Sequence, residues 1–363
     1  MYREILVIVQ RSNGDVFLSS PLVEALHESY PGAAIDLLVN KDTEAIAKTL
    51  PHIRNILTYD YAWKREGTTS RLAKEWGLVR SISGTYDLAI NLTASDRSVL
   101  YARLAGRRAL SCVEPEIGKS WWKRLLLTDT FAYDTDRHVV EHTMMPLRLL
   151  GIQPKRVEVH AHRPEGAEEE LASLPFDPNA PFLIFHPSAQ YDYKIYPKHL
   201  RDELLRRLDT LGIPIAVTGG KSAVDERISG ELPELSNLYN LIGKTSLAGY
   251  IALCSHSSAY IGMDTLNMHI AAALDKPLFA IFGPTLPQVW SPWCNALQRG
   301  TGKSAPLQRY GNVTLFQADM PCVACGKAGC DDRHGRSDCL YAIDPETVFM
   351  EVRRWLNTSA SRS

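Results

Sequence analysis

Ile261–Thr285, IGMDTLNMHIAAALDKPLFAIFGPT, decides how the chain is read. Ala259 to Met263 is a short apolar run, Asn267 to Leu274 has the small-residue content of a helix packed close on a sheet, and Leu278 to Phe282 is apolar again over the length of a strand. Strand, turn, helix and strand make one βαβ unit. Asp264 or Thr265 falls where an N-cap belongs, which aims the free N–H groups of Leu266, Asn267 and Met268 out of the turn. Beyond the carboxyl end of a strand, such a helix start favours a phosphate through its oriented N–H groups and its dipole. An ordinary capped crossover helix would show the same two residues, but His269, one turn in, directs an imidazole back toward the same place.

Outward from this unit the pattern repeats. Ile5–Gln10, Ile35–Val39, Ile56–Tyr59 and Leu88–Leu92 have strand character, and helical segments at about 16–30, 43–50 and 63–82 alternate with them. Each parallel pair needs a crossover, so the first half reads as a parallel sheet wrapped by helices. Phe182–Phe185, Ile213–Thr218 and Leu238–Gly243 restart the pattern, with a helix at about 198–211, and a final helix is expected at about 345–356. The stretch 163–181, rich in Pro, Glu and Ala, places the boundary between two α/β domains.

Composition agrees with an ordinary globular protein. The 363 residues are 45% hydrophobic and 22% charged with a formal net charge of −1, which gives no reason to expect nucleic acid. No apolar run approaches the about 18–20 residues that span a bilayer, and the first, Ile5–Val9, is too short for a signal sequence, so the cytoplasm is the expected compartment. Arg107, Lys123 and Arg124, with Trp121 and Trp122 between them, suggest a basic and aromatic patch for an anionic acceptor or a membrane headgroup layer; core tryptophans with solvated lysines would read the same way. His138 and His142, in H-x-x-E-H, have metal-like spacing but no further ligand in view. Seven cysteines are too few for a disulfide scaffold, yet Cys322, Cys325, Cys330 and Cys339 cluster as C-x2-C-x4-C-x8-C. Structural zinc, two disulfides and reduced thiols all fit that density.

D-T-x-x-M-H, followed by A-A-A-L-x-K-P and F-G-P-T, resembles the signature of glycosyltransferase family 9, the bacterial heptosyltransferases that build lipopolysaccharide core. The segment ILVIVQRSNGDVFLSSP is similar to the family's opening strand and S-x-G-D loop, and HPSAQYDYKIYP to its H-P-G/S-x…K-x-W-P segment, with Arg11 and Tyr196 as departures. The resemblance implies a GT-B architecture, α/β, with two Rossmann-like domains whose parallel sheets face a cleft: 1–165 for the acceptor, 175–343 for the donor, then 344–363 as helix and tail. It implies an inverting sugar transfer from a nucleotide-diphosphate donor, ADP-heptose, to an anionic glycan or glycolipid, at the inner face of the inner membrane. Asp15 would be the general base that makes a poor hydroxyl nucleophile competent. Ser188, Lys194, Asp264, Thr265, Leu266, Asn267 and His269 would hold the donor, Lys194 offsetting charge on the leaving diphosphate. No cofactor is needed for that chemistry. Leu266 replaces the family's usual glycine, which changes how closely the donor reaches the backbone. Two rivals share the scaffold: a nucleotide-sugar epimerase, and a non-catalytic nucleotide-sugar or glycan binder.

Overall fold

The structure, a computed structural model, describes residues 2–164 and 166–360. Residues 1, 165 and 361–363, which stand at ends of the expected domain ranges, lie outside the described residues. The chain divides into two compact units, Met1–His162 and Arg163–Ser363.

The first unit is a six-stranded sheet built from β1 (Glu4–Val9), β2 (Ala34–Asn40), β3 (Ile53–Tyr59), β4 (Tyr86–Asn91), β5 (Gly106–Val113) and β6 (Asp129–Ala132). Its order is β3-β2-β1-β4-β5-β6 and every pairing is parallel. Strand β1 is central and buried on both faces, which is why Ile5–Val9 reads as a continuous apolar run and not an alternating one. Leu6, Ile8, Leu38 and Tyr59 pack beneath Leu78 and Ile82 of helix Thr68–Ile82 and Tyr101, Ala102 and Ala105 of helix Asp96–Ala105. The order reverses between β1 and β4. That reversal leaves a crevice beyond the strand ends, where open α/β sheets receive ligands.

The second unit repeats the plan with β7 (Leu183–His186), β8 (Ile215–Val217), β9 (Leu238–Asn240), β10 (Ala259–Met263), β11 (Leu278–Ile281), β12 (Leu307–Tyr310) and β13 (Val313–Phe316). Its order is β12-β13-β11-β10-β7-β8-β9, with β12 alone antiparallel. Here the reversal lies between β7 and β10, which pair directly. Gly262 is required there, because a Cβ on it would stand 2.5 Å from the His186 carbonyl oxygen of the neighbouring strand. The final helix, Pro345–Ala360, lies on helix Lys198–Asp209, with Val348, Phe349 and Val352 in the same core and an Arg207–Glu346 ion pair beside them.

Three expectations change. The helix expected from Val16 to Tyr30 is two, Asn13–Phe17 and Ser20–Ser29, because Pro21 has no N–H to continue a helix and opens the second one instead. Residues 43–50 hold only a short turn of 3-10 helix and the four-residue helix Glu44–Ala47. Gly106–Val113 and Asp129–Ala132, within and just after the stretch expected to be a basic patch, are strands. Among the described residues no helix is long and apolar enough to cross a membrane.

Candidate functional site

In the second unit, two loops leave the carboxyl ends of β7 and β10 on either side of the reversal. From β10 comes Asp264, then Thr265 at the N-cap of helix Leu266–Ala273 in extended backbone, with no side chain capping the helix. From β7 comes HPSAQYDYK, ending in a 3-10 turn at Asp192–Lys194. Lys194 Nζ crosses to Asp264 Oδ2 at 3.0 Å. Asp264 is buried, while Lys194 keeps about a quarter of its side chain in solvent, 27%. Burial works against the lysine charge, but Asp264 more than offsets it and holds the ammonium above its usual range. The result is a charged ammonium, paired with Asp264, beside a helix start, and each of the two can engage a phosphate. Leu266 has no left-handed backbone, so its side chain is compatible with the helix turn. His269 is buried one turn in.

Ser188 is also buried, but its hydroxyl donates to Asp225 Oδ1 at 2.5 Å. Asp225 Oδ2 in turn accepts from Ser222 Oγ at 2.6 Å and Ser222 N at 2.9 Å, a capping box for helix Ala223–Gly230. Burial alone would raise this carboxyl, and those hydrogen bonds reverse the effect and hold it below its ordinary value. Gly219 is needed beside it, since a Cβ there would sit 2.8 Å from Asp225 Oδ1. Asp225 thereby ties the 219–222 turn to the Ser188 loop, a role the sequence analysis did not assign. The S-x-x-D spacing of a capping box was the readable sign. Beneath, His186 Nδ1 meets Thr218 Oγ1 at 2.9 Å, and complete burial pushes its pKa down to about 4, so it serves as a neutral strut.

In the first unit, Asp15 lies in the helix that follows β1, seven per cent exposed. Ser12 Oγ donates to its Oδ2 at 2.6 Å and Arg11 Nε to its Oδ1 at 2.7 Å. Arg11 also donates to the Tyr133 hydroxyl at 3.2 Å and lies over that ring. Both oxygens of the carboxylate are therefore oriented. Arg11, a departure noted in the sequence, places a guanidinium against Asp15.

The expected basic patch does not form as one surface. Lys123 is fully buried, donating to Ala94 O at 2.8 Å and pairing with Glu114 at 2.8 Å and Asp96 at 2.7 Å. Two carboxylates make such burial tolerable, and the lysine serves as a brace. Arg107 stands at the other, amino end of β5, 81% exposed. Arg124 remains on the surface, beside an apolar stripe along helix Ile117–Leu126 made of Ile117, Trp121 and Leu125, 72%, 57% and 77% exposed. His138 Nδ1 accepts from Val140 N and caps its helix, and His142 lies buried against Cys112, its pKa lowered to about 4 chiefly by burial.

The cysteine quartet is not gathered into a metal site. Ala324, Asp332 and His334 take left-handed backbone, the turns leave Cys322, Cys325 and Cys330 exposed, and Cys339 joins the core. All four are free thiols, and among the described residues no group of three or more His, Cys, Asp or Glu is arranged to hold a metal ion. The loop instead packs on the lysine turn: His334 stacks against Tyr191 and Tyr193, and Ser337 Oγ donates to Tyr193 O at 2.7 Å.

Comparison with known proteins identifies the family. Residues 76–308 match the family described as "Glycosyltransferase family 9 (heptosyltransferase)". Lipopolysaccharide heptosyltransferase 3 of Escherichia coli K12 is 28% identical over 292 residues, 78% of this chain and 83% of that one. Among solved structures, the E. coli ADP-heptose lps heptosyltransferase II superposes with a TM-score of 0.74 at 20% identity, covering 98% of this chain and 99% of that one. E. coli heptosyltransferase WaaC with ADP superposes with a TM-score of 0.72 at 19% identity, covering 97% and 99%. The fold is therefore of the GT-B type, and the chain belongs to glycosyltransferase family 9, whose members are sugar-transferring enzymes.

Proposed function

We propose that the enzyme is an inverting heptosyltransferase that moves heptose from ADP-heptose to an anionic glycan or glycolipid of lipopolysaccharide core. The Lys194–Asp264 pair, set across the strand reversal at the head of helix Leu266–Ala273, carries this reading. The names of the relatives and the ADP-bound neighbour support heptose as the sugar and ADP as its carrier. In this scheme the diphosphate takes the N–H groups of Leu266, Asn267 and Met268, and Lys194 turns from Asp264 to the phosphate oxygens. Thr265, Asn267 and His269 line the same helix start, and Ser188 acts through the 219–222 turn. As the anomeric C–O bond to the β-phosphate breaks, charge grows on the leaving oxygen, and Lys194 is already placed to offset it. Asp15 takes the proton of the attacking hydroxyl as the new glycosidic bond forms on the opposite face of the sugar. One displacement inverts the anomeric centre.

The enzyme is proposed to work in the cytoplasm, and the apolar stripe with Arg124 supports contact with the inner face of the membrane that carries its acceptor. The test is Asp15→Asn. Its ADP affinity, read by calorimetry, is expected to match the wild type, while kcat for transfer from ADP-heptose falls about a hundredfold or more. Unaltered kcat would remove Asp15 from the chemistry. Conversion of the donor to an epimer without acceptor would favour an epimerase instead.

A further inference from the structure

The cysteine loop carries contacts that the transfer chemistry does not use. Between Ala328 and Arg336 the chain closes on itself: His334 N donates to Ala328 O at 2.7 Å and Cys330 N to Arg336 O at 2.9 Å. Gly329 has left-handed backbone, and a Cβ on it would stand 2.4 Å from Gly335 O, so the neck of the loop is tight. His334 lies on the Tyr191 and Tyr193 rings, with centroids 5.5 Å apart in each case. Helix Asp338–Tyr341 follows, with Ser337 as its N-cap. Ser337 makes no side-chain cap, because its hydroxyl donates to Tyr193 O at 2.7 Å. Cys330 Sγ takes the Asp338 N–H instead, at 3.3 Å. One sulfur therefore allows Ser337 to hold the turn that ends in Lys194.

Cys330 is exposed, whereas Cys339 is buried, and its thiol is pushed up to about 11 by burial and by the nearness of Cys330 and Cys325. The Asp338 contact sets the Cys330 sulfur against the residue that precedes Cys339. Arg336 is close as well: Asp338 first, then Tyr341 and Cys330, hold its charge above the ordinary range. An exposed sulfur beside an N–H and a cation, with a second thiol at hand, is a setting in which peroxide acts on cysteine. We propose that Cys330 and Cys339 form a reversible disulfide under hydrogen peroxide and that this bond loosens the lysine turn, the second half resting on the reading of Lys194 as a donor contact. The Cys330 sulfur attacks peroxide, its S–O bond forming as the O–O bond breaks, and the displaced hydroxide leaves as water with the thiol proton. The Cys339 sulfur then displaces the oxygen from Cys330, and that oxygen departs as a second water with the Cys339 proton. Two thiols are oxidised to one disulfide and the peroxide is reduced to water. A sulfur committed to Cys339 leaves the Asp338 N–H, Ser337 turns back to cap its own helix, and Tyr193 O is released. A dithiol reverses the bond by exchange.

Treatment of the reduced full chain with hydrogen peroxide, followed by alkylation and mass spectrometry, tests it. A peptide linking Cys330 to Cys339 is expected, lighter by two hydrogens than its reduced parts, and dithiothreitol should restore both thiols. In the oxidised protein ADP affinity, read by calorimetry, is expected to fall about tenfold, and the His334 ring signals, assigned with His334→Gln, should move in proton NMR. Cys330→Ser should bind ADP as the reduced wild type does and keep that affinity through peroxide. Cys339→Ala should stop at a Cys330 sulfenic acid, trapped by dimedone. Both cysteines open to alkylation after peroxide, or reactive only once a chelator has removed a bound metal, would overturn the switch. So would a linked pair that leaves the His334 signals or the ADP affinity of the reduced protein unchanged. Reduced wild type that does not bind ADP sinks the donor site, while the linked peptide and the His334 signals still decide the switch.

Discussion

In the proposed scheme Lys194 is the side chain that exchanges Asp264 for the diphosphate. It is held at 3.0 Å from Asp264 yet keeps a quarter of its side chain in solvent, so a diphosphate can compete for it without unfolding the turn. A compact ammonium suits this better than a guanidinium, which would lock onto the carboxylate with two bonds. Lys194→Met is expected to weaken ADP binding by about ten- to a hundredfold, read by calorimetry, because a charge-assisted contact is lost. An affinity equal to wild type would place the diphosphate elsewhere. Asp15 is the counterpart in the first unit, and there the departure from the family pattern has a physical content. Burial works against the Arg11 charge, but Asp15 and Tyr133 hold it above its ordinary range, so Arg11 remains charged and orients the Asp15 carboxylate.

At the scale of elements, helix Ile117–Leu126 is unusual in presenting apolar side chains outward at intervals of four: Ile117, Trp121 and Leu125. Replacing Trp121 and Leu125 together by serine is expected to lower the fraction bound to anionic phospholipid vesicles about tenfold or more in a flotation assay. Tm should not fall, since neither residue is core. Undiminished binding would mean that the stripe does not face lipid. This helix also shows what the sequence conceals. Lys123 and Arg124 are adjacent and look alike, but helical geometry turns one inward to Asp96 and Glu114 and the other outward. Strand β5 was obscured for a related reason: Arg107 and Arg108 at its amino end mask the apolar run that follows, and Arg108 is matched by Asp129 of the neighbouring strand. By contrast β10, its helix and β11 were readable almost to the residue, because a strand buried on both faces, a small-residue helix and a turn with Asp264 and Thr265 leave few alternatives. The S-x-G-D loop was readable as a helix start for the same kind of reason. The contact of Cys330 with Asp338 carried no such pattern, since what a sulfur accepts becomes visible only when its surroundings are known.

For the whole molecule, stability divides between two units, each built on its own largely parallel sheet. Each unit buries a histidine that stays neutral when folded, His142 in the first and His186 in the second, with pKa values lowered to about 4. The unfolded chain takes up those protons near about 6.5, so it binds more protons than the folded protein between the two values. The stability these two histidines contribute is therefore complete above about pH 6.5 and is expected to decline as pH falls toward 4 in urea titrations, with His142→Phe flattening part of the decline. Unchanged pH dependence in that variant would show that His142 is not held neutral. The family of the chain sets the sugar-transfer chemistry, and the proposed scheme assigns a part of it to each unit. Incubation with ADP-heptose and a heptose-deficient core oligosaccharide, followed by NMR of the product, tests this most directly. The account predicts ADP release only when acceptor is present, and a new heptosyl linkage whose anomeric configuration is opposite to that of the donor. Retention of configuration, or ADP release that ignores the acceptor, would contradict it.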